Sequence, residues 1–300
     1  DRSIVHEQDQ MKFLPISMPQ TIIRPAFAKV NLGLEILRKR PDGYHDLETI
    51  FYRIGLKDEI EVQETPAALS MECDSPTLPI GPENLCIRAA EALRKETGER
   101  RGAHIVLRKR IPTGSGLGGG SSDAAAVLVA VNELWKCGSS LDTLRRIAAT
   151  VGSDVPSFLS GPLTFGSGRG EILEDLPPRF PYWLVCVTPP LSVSTSWAYG
   201  HLRIPIRTDR RSLRDRFLHA LPQIEALAEV LSNDFEPIVF PAHPKVGETQ
   251  HTLREAGCRI AHMSGSGSSV FGLTGDRSSA EAAASRFPLT YVVSVTPPLT

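Results

Sequence analysis

The sequence predicts an α+β chain of two domains, and three observations predict it. Strand-like and helix-like segments alternate without the strict rhythm of a parallel doubly wound sheet. A five-glycine stretch, GSGLGGGSSDAA from Gly114, joins a strand to an Ala- and Leu-rich helix. After Gly170 the rhythm changes to a buried strand, several helices and a second glycine–serine loop, SGSGSS from Ser264. A length of 300 residues accommodates two modest domains. The expected division is a loose leader over residues 1–20, an N-terminal domain over 21–170 and a C-terminal domain over 171–300.

Composition narrows the class. With 33 basic against 34 acidic residues the net charge is −1, which argues against nucleic acid or a membrane surface as the main partner. No apolar run approaches the ~18 residues of a membrane span. Cys73, Cys86, Cys137, Cys186 and Cys258 stand alone, with no C-x-x-C pair, and the eight histidines show no ligand spacing. Scattered single cysteines suggest a reducing compartment, so the expected location is the cytoplasm.

In chain order, Ala26–Leu37 alternates as a strand. Ala26, Ala28, Val30, Leu32, Leu34 and Ile36 share one face, and Lys29 and Asn31 the other, ~7 Å apart. An amine and an amide opposite a core face point either to solvent or into a cleft. Pro41-Asp42-Gly43 signals a turn into a second strand, Leu47–Leu56, with Tyr44 and His45 at its exit. That pair either packs the turn down or stacks and hydrogen-bonds a flat ligand.

Glu83–Thr97 reads as a helix ended by Gly98, and His104–Ile111 as the strand that delivers the glycine loop. Ala124–Leu134 and Leu141–Val151 follow as helices. Asp154 lies in Gly-Ser-Asp-Val-Pro, where it would cap a short helix through Leu159. Gly161–Gly170 reads as a turn or hairpin. Tyr182–Thr188 is a strand stopped by Pro189-Pro190. Leu213–Leu231 reads as a helix that Pro222 can split, and His251–Ala256 belongs to another. Arg259–Met263, the SGSGSS loop and Val270–Leu273 follow, then a helix over Ser278–Phe287 and a last strand over Thr290–Val295.

Glycines let backbone N–H groups approach a ligand and take positive φ, and a helix start offers free donors and partial positive charge. The first loop therefore reads as an anion site, most often for phosphate. The plainer alternative is a tight turn with Ser121 as an N-cap. No Gly-Lys-Ser/Thr ending follows, which excludes a Walker A loop. Gly114, Gly116 and Gly119 match G-x-G-x-x-G, yet a second helical segment stands where a dinucleotide fold needs a strand and an acid. A phosphate loop, a strand-borne Lys29, Asp154 at a loop–helix junction and a second glycine–serine loop together suit phosphoryl transfer, which rests on positioning and electrostatics.

The stretch PTGSGLGGGSSDAA also resembles the phosphate loop of the GHMP kinases, which include galactokinase and the homoserine, mevalonate and phosphomevalonate kinases. AKVNLGLEILRKRPDGYHDLETIF, VGSDVPSFL and MSGSGSSVFG narrow the resemblance to members that phosphorylate the 2-hydroxyl of a cytidine diphosphate-linked methylerythritol, in the non-mevalonate route to isoprenoid precursors. It covers the chain from about Ile23 onward. It implies an N-terminal ATP-loop domain, a C-terminal α/β sandwich domain and an active site in the cleft between them, using ATP with Mg2+ held mainly by the nucleotide.

Matched position by position, the resemblance makes Asp154 the base and Lys29 its charged partner. Pro112, Gly114, Gly116, Leu117, Gly118, Gly119, Gly120, Ser121 and Ser122 would wrap the ATP phosphates. Asn31, Thr195, Gly265, Ser266 and Gly267 would hold the substrate. Tyr44 would stack on its cytosine, His45 would read the base edge, and Tyr199, with Trp197 as the rival, would complete the sandwich. Ser153 and Ser157 depart from the pattern, standing where an Ala and an apolar or aromatic residue are expected. No acidic cluster stands out as a magnesium site. Another GHMP small-molecule kinase, or a nucleotide sensor of the same fold without catalysis, are the competing readings.

Overall fold

The computed structural model describes residues 20–205 and 211–299, so the leader expected over residues 1–20 lies almost wholly outside the described residues. Two long strands form its spine. β1 (Thr21–Lys39) and β2 (His45–Thr65) pair antiparallel around the Pro41-Asp42-Gly43 turn, where Gly43 takes φ 86°. The alternating apolar residues of β1 from Ala26 to Ile36 are all buried. Lys29 and Asn31 on the other face are buried too, at 6% and 3% exposure, so neither points to solvent.

Next come β3 (Leu69–Cys73), α1 (Leu85–Thr97), β4 (Gly102–Arg108), α2 (Gly119–Leu134) and α3 (Leu141–Val151). A 3-10 turn (Val155–Leu159), β5 (Leu163–Ser167) and β6 (Ile172–Asp175) complete the first half. One edge of β2 carries β1. Its other edge is shared, with Glu59–Thr65 pairing β4 and Thr49–Tyr52 pairing β5. β3 joins β4 in parallel, and β6 closes the sheet beside β5, so this sheet runs past Gly170 to Asp175. Helices α1, α2 and α3 share one core with this sheet, centred on Leu93, Ile105, Leu128 and Trp135. Asn84 caps α1 by accepting from the Cys86 N–H at 2.9 Å, and Gly98 ends it in the left-handed conformation.

The second half contains β7 (Trp183–Thr188), α4 (Thr195–His201), α5 (Leu213–Ala220), α6 (Ile224–Val230), α7 (Glu236–Ala242), α8 (Pro244–Glu255), β8 (Ile260–Met263), β9 (Val270–Thr274), α9 (Arg277–Ala284) and β10 (Val292–Thr296). Its sheet is antiparallel in the order β10-β7-β9-β8. A shared core joins the halves: Val30, Leu32, Tyr52 and Ile54 meet Phe180, Leu184, Phe217 and Phe271. Each side chain of this size removed from water contributes about 1.5–3 kcal/mol to joining the two halves.

Several boundaries differ from the sequence reading. The 213–231 helix is indeed broken at Pro222, giving α5 and α6. The helix read over His251–Ala256 begins much earlier, at Pro244. α4 and α7 each bury one side chain, Ala198 and Val239, which is too little to leave an amphipathic signature. α2 starts at Gly119 rather than Ala124, with Gly118 at φ 69° as its cap, so Ser121 lies inside the helix and is not its N-cap. Gly152 after α3 is extended at φ −173°, where any residue fits.

Candidate active site

A cavity of about 960 Å³ opens between the first sheet with its glycine loop and the α4, Phe235 and Gly265-Ser266 segments of the second half. β1 supplies its floor. Lys29 Nζ donates to Asn31 Oδ1 at 2.7 Å and lies 3.5 Å from the Gly116 carbonyl. Asn31 Nδ2 in turn donates to Thr49 Oγ1 at 2.8 Å, and that hydroxyl donates to the Gly33 carbonyl at 2.7 Å. The amide is thereby fixed in orientation, with its oxygen toward the lysine. Burial pushes the Lys29 pKa below the ordinary lysine value, and the Asp154 carboxylate works against that shift. Asp154 Oδ2 forms an ion pair with Lys29 Nζ at 3.8 Å. The Asp154 side chain makes no capping bond to the 3-10 turn, so the capping role expected of it is not what holds it. Its backbone is held instead: the Ser157 hydroxyl and N–H both donate to the Asp154 carbonyl, at 2.7 and 3.2 Å.

The first glycine loop wraps the next wall. Gly114, Gly116 and Gly118 take φ of 66°, 79° and 69°. Gly116 also has no room for a side chain, because a Cβ there would lie 2.1 Å from the Ser264 carbonyl oxygen. Pro112, Gly114, Gly116, Gly118, Gly119, Gly120 and Ser121 line the cavity. Leu117 and Ser122 do not. The Leu117 side chain is in the core while its carbonyl accepts from the Lys29 N–H at 3.1 Å, and Ser122 Oγ donates to the Phe27 carbonyl at 2.7 Å. Both anchor the loop to β1 from behind.

Below the loop sits an ionic cluster the sequence reading missed. Lys109 Nζ bridges Asp58 Oδ2 at 2.5 Å and Asp123 Oδ2 at 2.8 Å. Asp58 Oδ1 accepts from the Ile111 N–H at 2.8 Å and from the Arg110 N–H, so the cluster also pins the entry to the loop. Burial first, and the Asp58 charge second to it among the raising influences, push the Asp123 carboxyl up to about 7, against the pull of Lys109. The three residues come from separate elements, and only Asp123, directly after Ser121-Ser122, carried a local cue.

The second glycine–serine loop is laced to the first. Ser264 Oγ accepts from the Asn31 N–H at 3.1 Å and donates to the Gly116 carbonyl at 3.0 Å. The Ser269 N–H donates to the Ser115 carbonyl at 2.9 Å. Gly265 and Ser266 line the cavity, and Ser266 Oγ shares a 2.9 Å hydrogen bond with Thr195 Oγ1 at the start of α4. Gly267 is not on the cavity wall; its Cα faces Met263 and Val193 behind the loop.

The far end is aromatic. Tyr44, His45 and Tyr199 line it, and the His45 and Tyr199 rings stack with centroids 5.1 Å apart at 30°. Phe235 also meets Tyr199 edge-on at 4.9 Å. Burial pushes the Tyr199 hydroxyl up to about 12, with Asp154 adding to the shift. Burial also lowers the His45 pKa, with Lys39 adding to it, which favours the neutral ring. Tyr44 is 57% exposed and carries the Arg169 guanidinium over its ring at 4.8 Å. Trp197 turns away from the cavity and packs on His201 and His243. Of the rival aromatics on α4, Tyr199 is therefore the one in the cleft.

Residues 84–162 match the family described as GHMP kinases N terminal domain, and residues 217–293 match GHMP kinases C terminal. The chain is 44% identical to a 4-diphosphocytidyl-2-C-methyl-D-erythritol kinase of Prosthecochloris aestuarii, over 93% of this chain and 98% of that one. It is 44% identical to the protein of the same name from Pelotomaculum thermopropionicum, over 87% and 92%. Among solved structures, a 4-(cytidine 5'-diphospho)-2C-methyl-D-erythritol kinase superposes with a TM-score of 0.79 at 35% identity, covering 93% of this chain and all of the other. A homoserine kinase from Cytophaga hutchinsonii shares the fold, with a TM-score of 0.76 at 18% identity over 95% and 97%. With two walls of glycine-rich backbone facing one buried lysine, and with relatives this similar along nearly their whole length, the chain belongs to the GHMP kinases and, among them, to the 4-diphosphocytidyl-2-C-methyl-D-erythritol kinase family of ATP-dependent small-molecule kinases.

Proposed function

We propose that this chain transfers the γ-phosphoryl group of ATP to the 2-hydroxyl of 4-diphosphocytidyl-2-C-methyl-D-erythritol. The observation that carries the reading is the convergence of Lys29, Asn31 and Asp154 at one point where the two glycine loops meet. Asp154 accepts the proton of the attacking hydroxyl. Lys29, held by Asn31 and Asp154, balances charge that develops as the phosphoryl group moves. Backbone N–H groups of residues 112–122 and the start of α2 hold the ATP phosphates. Asn31, Thr195, Gly265 and Ser266 border the acceptor, with Gly267 supporting them from behind. Tyr44 and Tyr199 sandwich the cytosine once the His45 ring, stacked on Tyr199 at 5.1 Å, turns aside to hydrogen-bond the base edge. Base stacking of this kind is worth about 1–3 kcal/mol.

Magnesium enters with the nucleotide. Among the described residues no group of three or more His, Cys, Asp or Glu is placed to hold a metal. Mg2+ commonly keeps its waters and takes one or two carboxylates plus substrate phosphates. Asp123 fits such a partial role, since it borders the cavity and its Oδ1 is buried without a hydrogen-bond partner. When bound, the ion neutralises the phosphate oxygens.

The division into an N-terminal and a C-terminal domain follows the same reading, with the cleft between them, but its boundary lies beyond Asp175 rather than at Gly170, because β6 belongs to the first sheet. Among the described residues no helix is long and apolar enough to cross a membrane. Five free cysteines suit the cytoplasm, where ATP is supplied. A coupled ADP-release assay with the cytidine substrate tests the activity. ADP release that depends on this substrate supports it, and release with homoserine or mevalonate instead would replace it.

A further inference from the structure

The segment Ser232–Glu236, unremarked in the sequence, reaches both sides of the acceptor end. Its backbone pairs with the free edge of β1 just beyond Asn31: the Leu34 N–H donates to the Ser232 carbonyl at 2.8 Å and the Asp234 N–H to the Leu34 carbonyl at 3.1 Å. Asp234 Oδ2 accepts from the Ile36 N–H at 2.6 Å. β1 shifts register between Asn31 and Gly33, so the ladder to β2 is irregular where these bonds begin.

Asn233 faces the other way. It is 4% exposed, and its Nδ2 donates to the Met263 carbonyl at 2.6 Å and the Gly265 carbonyl at 2.8 Å, on either side of Ser264. Its Oδ1 accepts from the Phe235 N–H at 2.9 Å, so both ends of the amide are engaged and its orientation is fixed. Gly265, at φ 56°, is then set against Asn31: a Cβ there would lie 3.3 Å from Asn31 Oδ1, the atom that accepts from Lys29. One buried amide thus joins the strand that carries Lys29 to the loop that carries Gly265 and Ser266.

We infer that Asn233 is a positioning residue for the phosphoryl acceptor, holding Gly265 and Ser266 in register with Asn31 and Lys29. The inference rests on the proposed reading of that end of the cleft as the acceptor side. The nucleotide side has its own anchors in the Lys109 cluster and the Ser269–Ser115 bond, so loss of the Asn233 clamp acts on the acceptor first.

Asn233→Asp tests this, because it keeps the shape and the bond from Phe235 but has no N–H to give to Met263 and Gly265. The expected result is an acceptor KM raised about tenfold or more, as small misplacements at a reacting centre produce. Affinity for a non-hydrolysable ATP analogue, read by calorimetry, should stay within about twofold on the same argument. Without any substrate, amide hydrogen exchange at Ser264 and Gly267 should accelerate about tenfold while the core strands keep their protection. Should the aspartate variant fail to fold, Asn233→Ser, which keeps one donor and adds no charge, takes its place. An unchanged acceptor KM in an active enzyme would overturn the inference, as would a parallel loss of ATP-analogue affinity, acceptor affinity and melting temperature. A wild-type chain that does not phosphorylate the cytidine substrate would overturn the functional reading instead.

Discussion

Lys29 Nζ and Asp154 Oδ2 stand 3.8 Å apart, the lysine buried and the carboxylate half-open to the cavity. The asymmetry suits a base that must meet a substrate and a cation that must not leave. Asp154→Asn should cut turnover at least ~100-fold through loss of general-base catalysis, with binding of cytidine diphosphate little changed. Steady-state kinetics and calorimetry check the two halves. Turnover like that of the wild type would remove Asp154 from the role.

Gly116→Ala should abolish nucleotide binding or folding. The position combines φ 79° with a Cβ site 2.1 Å from the Ser264 carbonyl, so both conformation and space exclude a methyl group. Gly120→Ala is the contrast, because the nearest atom to its Cβ site is the Leu85 side chain at 3.9 Å. A thermal melt with and without an ATP analogue separates the two. Equal tolerance at both sites would refute the argument.

Tyr199→Ala should raise the KM for the cytidine substrate by about tenfold or more, in line with 1–3 kcal/mol per stacked base. Trp197→Ala should leave that constant nearly unchanged, since the indole packs on His201 and His243 outside the cavity. The reverse pattern would assign the sandwich to Trp197.

The Asp123 carboxyl provides a pH test. Its folded value is pushed from 3.8 up to about 7. The folded state therefore binds this proton more tightly than the unfolded chain. The associated stability is present in full below about pH 4 and is lost as pH rises through about 7. Asn in its place keeps an oxygen for Lys109 without a charge. Relative to wild type, Asp123→Asn should gain melting temperature on going from pH 5 to pH 8, by about 4 °C or more for a chain of this size. A difference that stays flat across that range would show that Asp123 does not titrate there.

Much of the fold was legible because it was written locally. The alternation from Ala26 to Ile36 is buried as read, and the strand–glycine loop–helix order is present. Lys29 and Asp154, expected as partners, do meet, and Asn31 is bonded to the same lysine. What escaped depended on pairing across the chain. Lys109, Asp58 and Asp123 look like ordinary surface charges until β2, the end of β4 and α2 are brought together. Asn233 sits in an irregular segment with no periodicity to mark it, and its partners lie about thirty residues away. The resemblance puts Ser122 on the phosphates, whereas its hydroxyl donates to the Phe27 carbonyl, a partner far away in sequence.

The bonds from Ser264 and Ser269 to the Gly116 and Ser115 carbonyls make the two loops one mechanical unit. Within the second loop Ser264 and Ser269 are the positions that cannot change without loosening the ATP loop they hold. Tyr44 and His45 at the hairpin tip stand apart from both loops, whereas the helix that carries Tyr199 is tied to the second loop through Thr195 and Ser266. In this chain a change of acceptor specificity is therefore easiest at the hairpin tip and hardest where the two loops interlock.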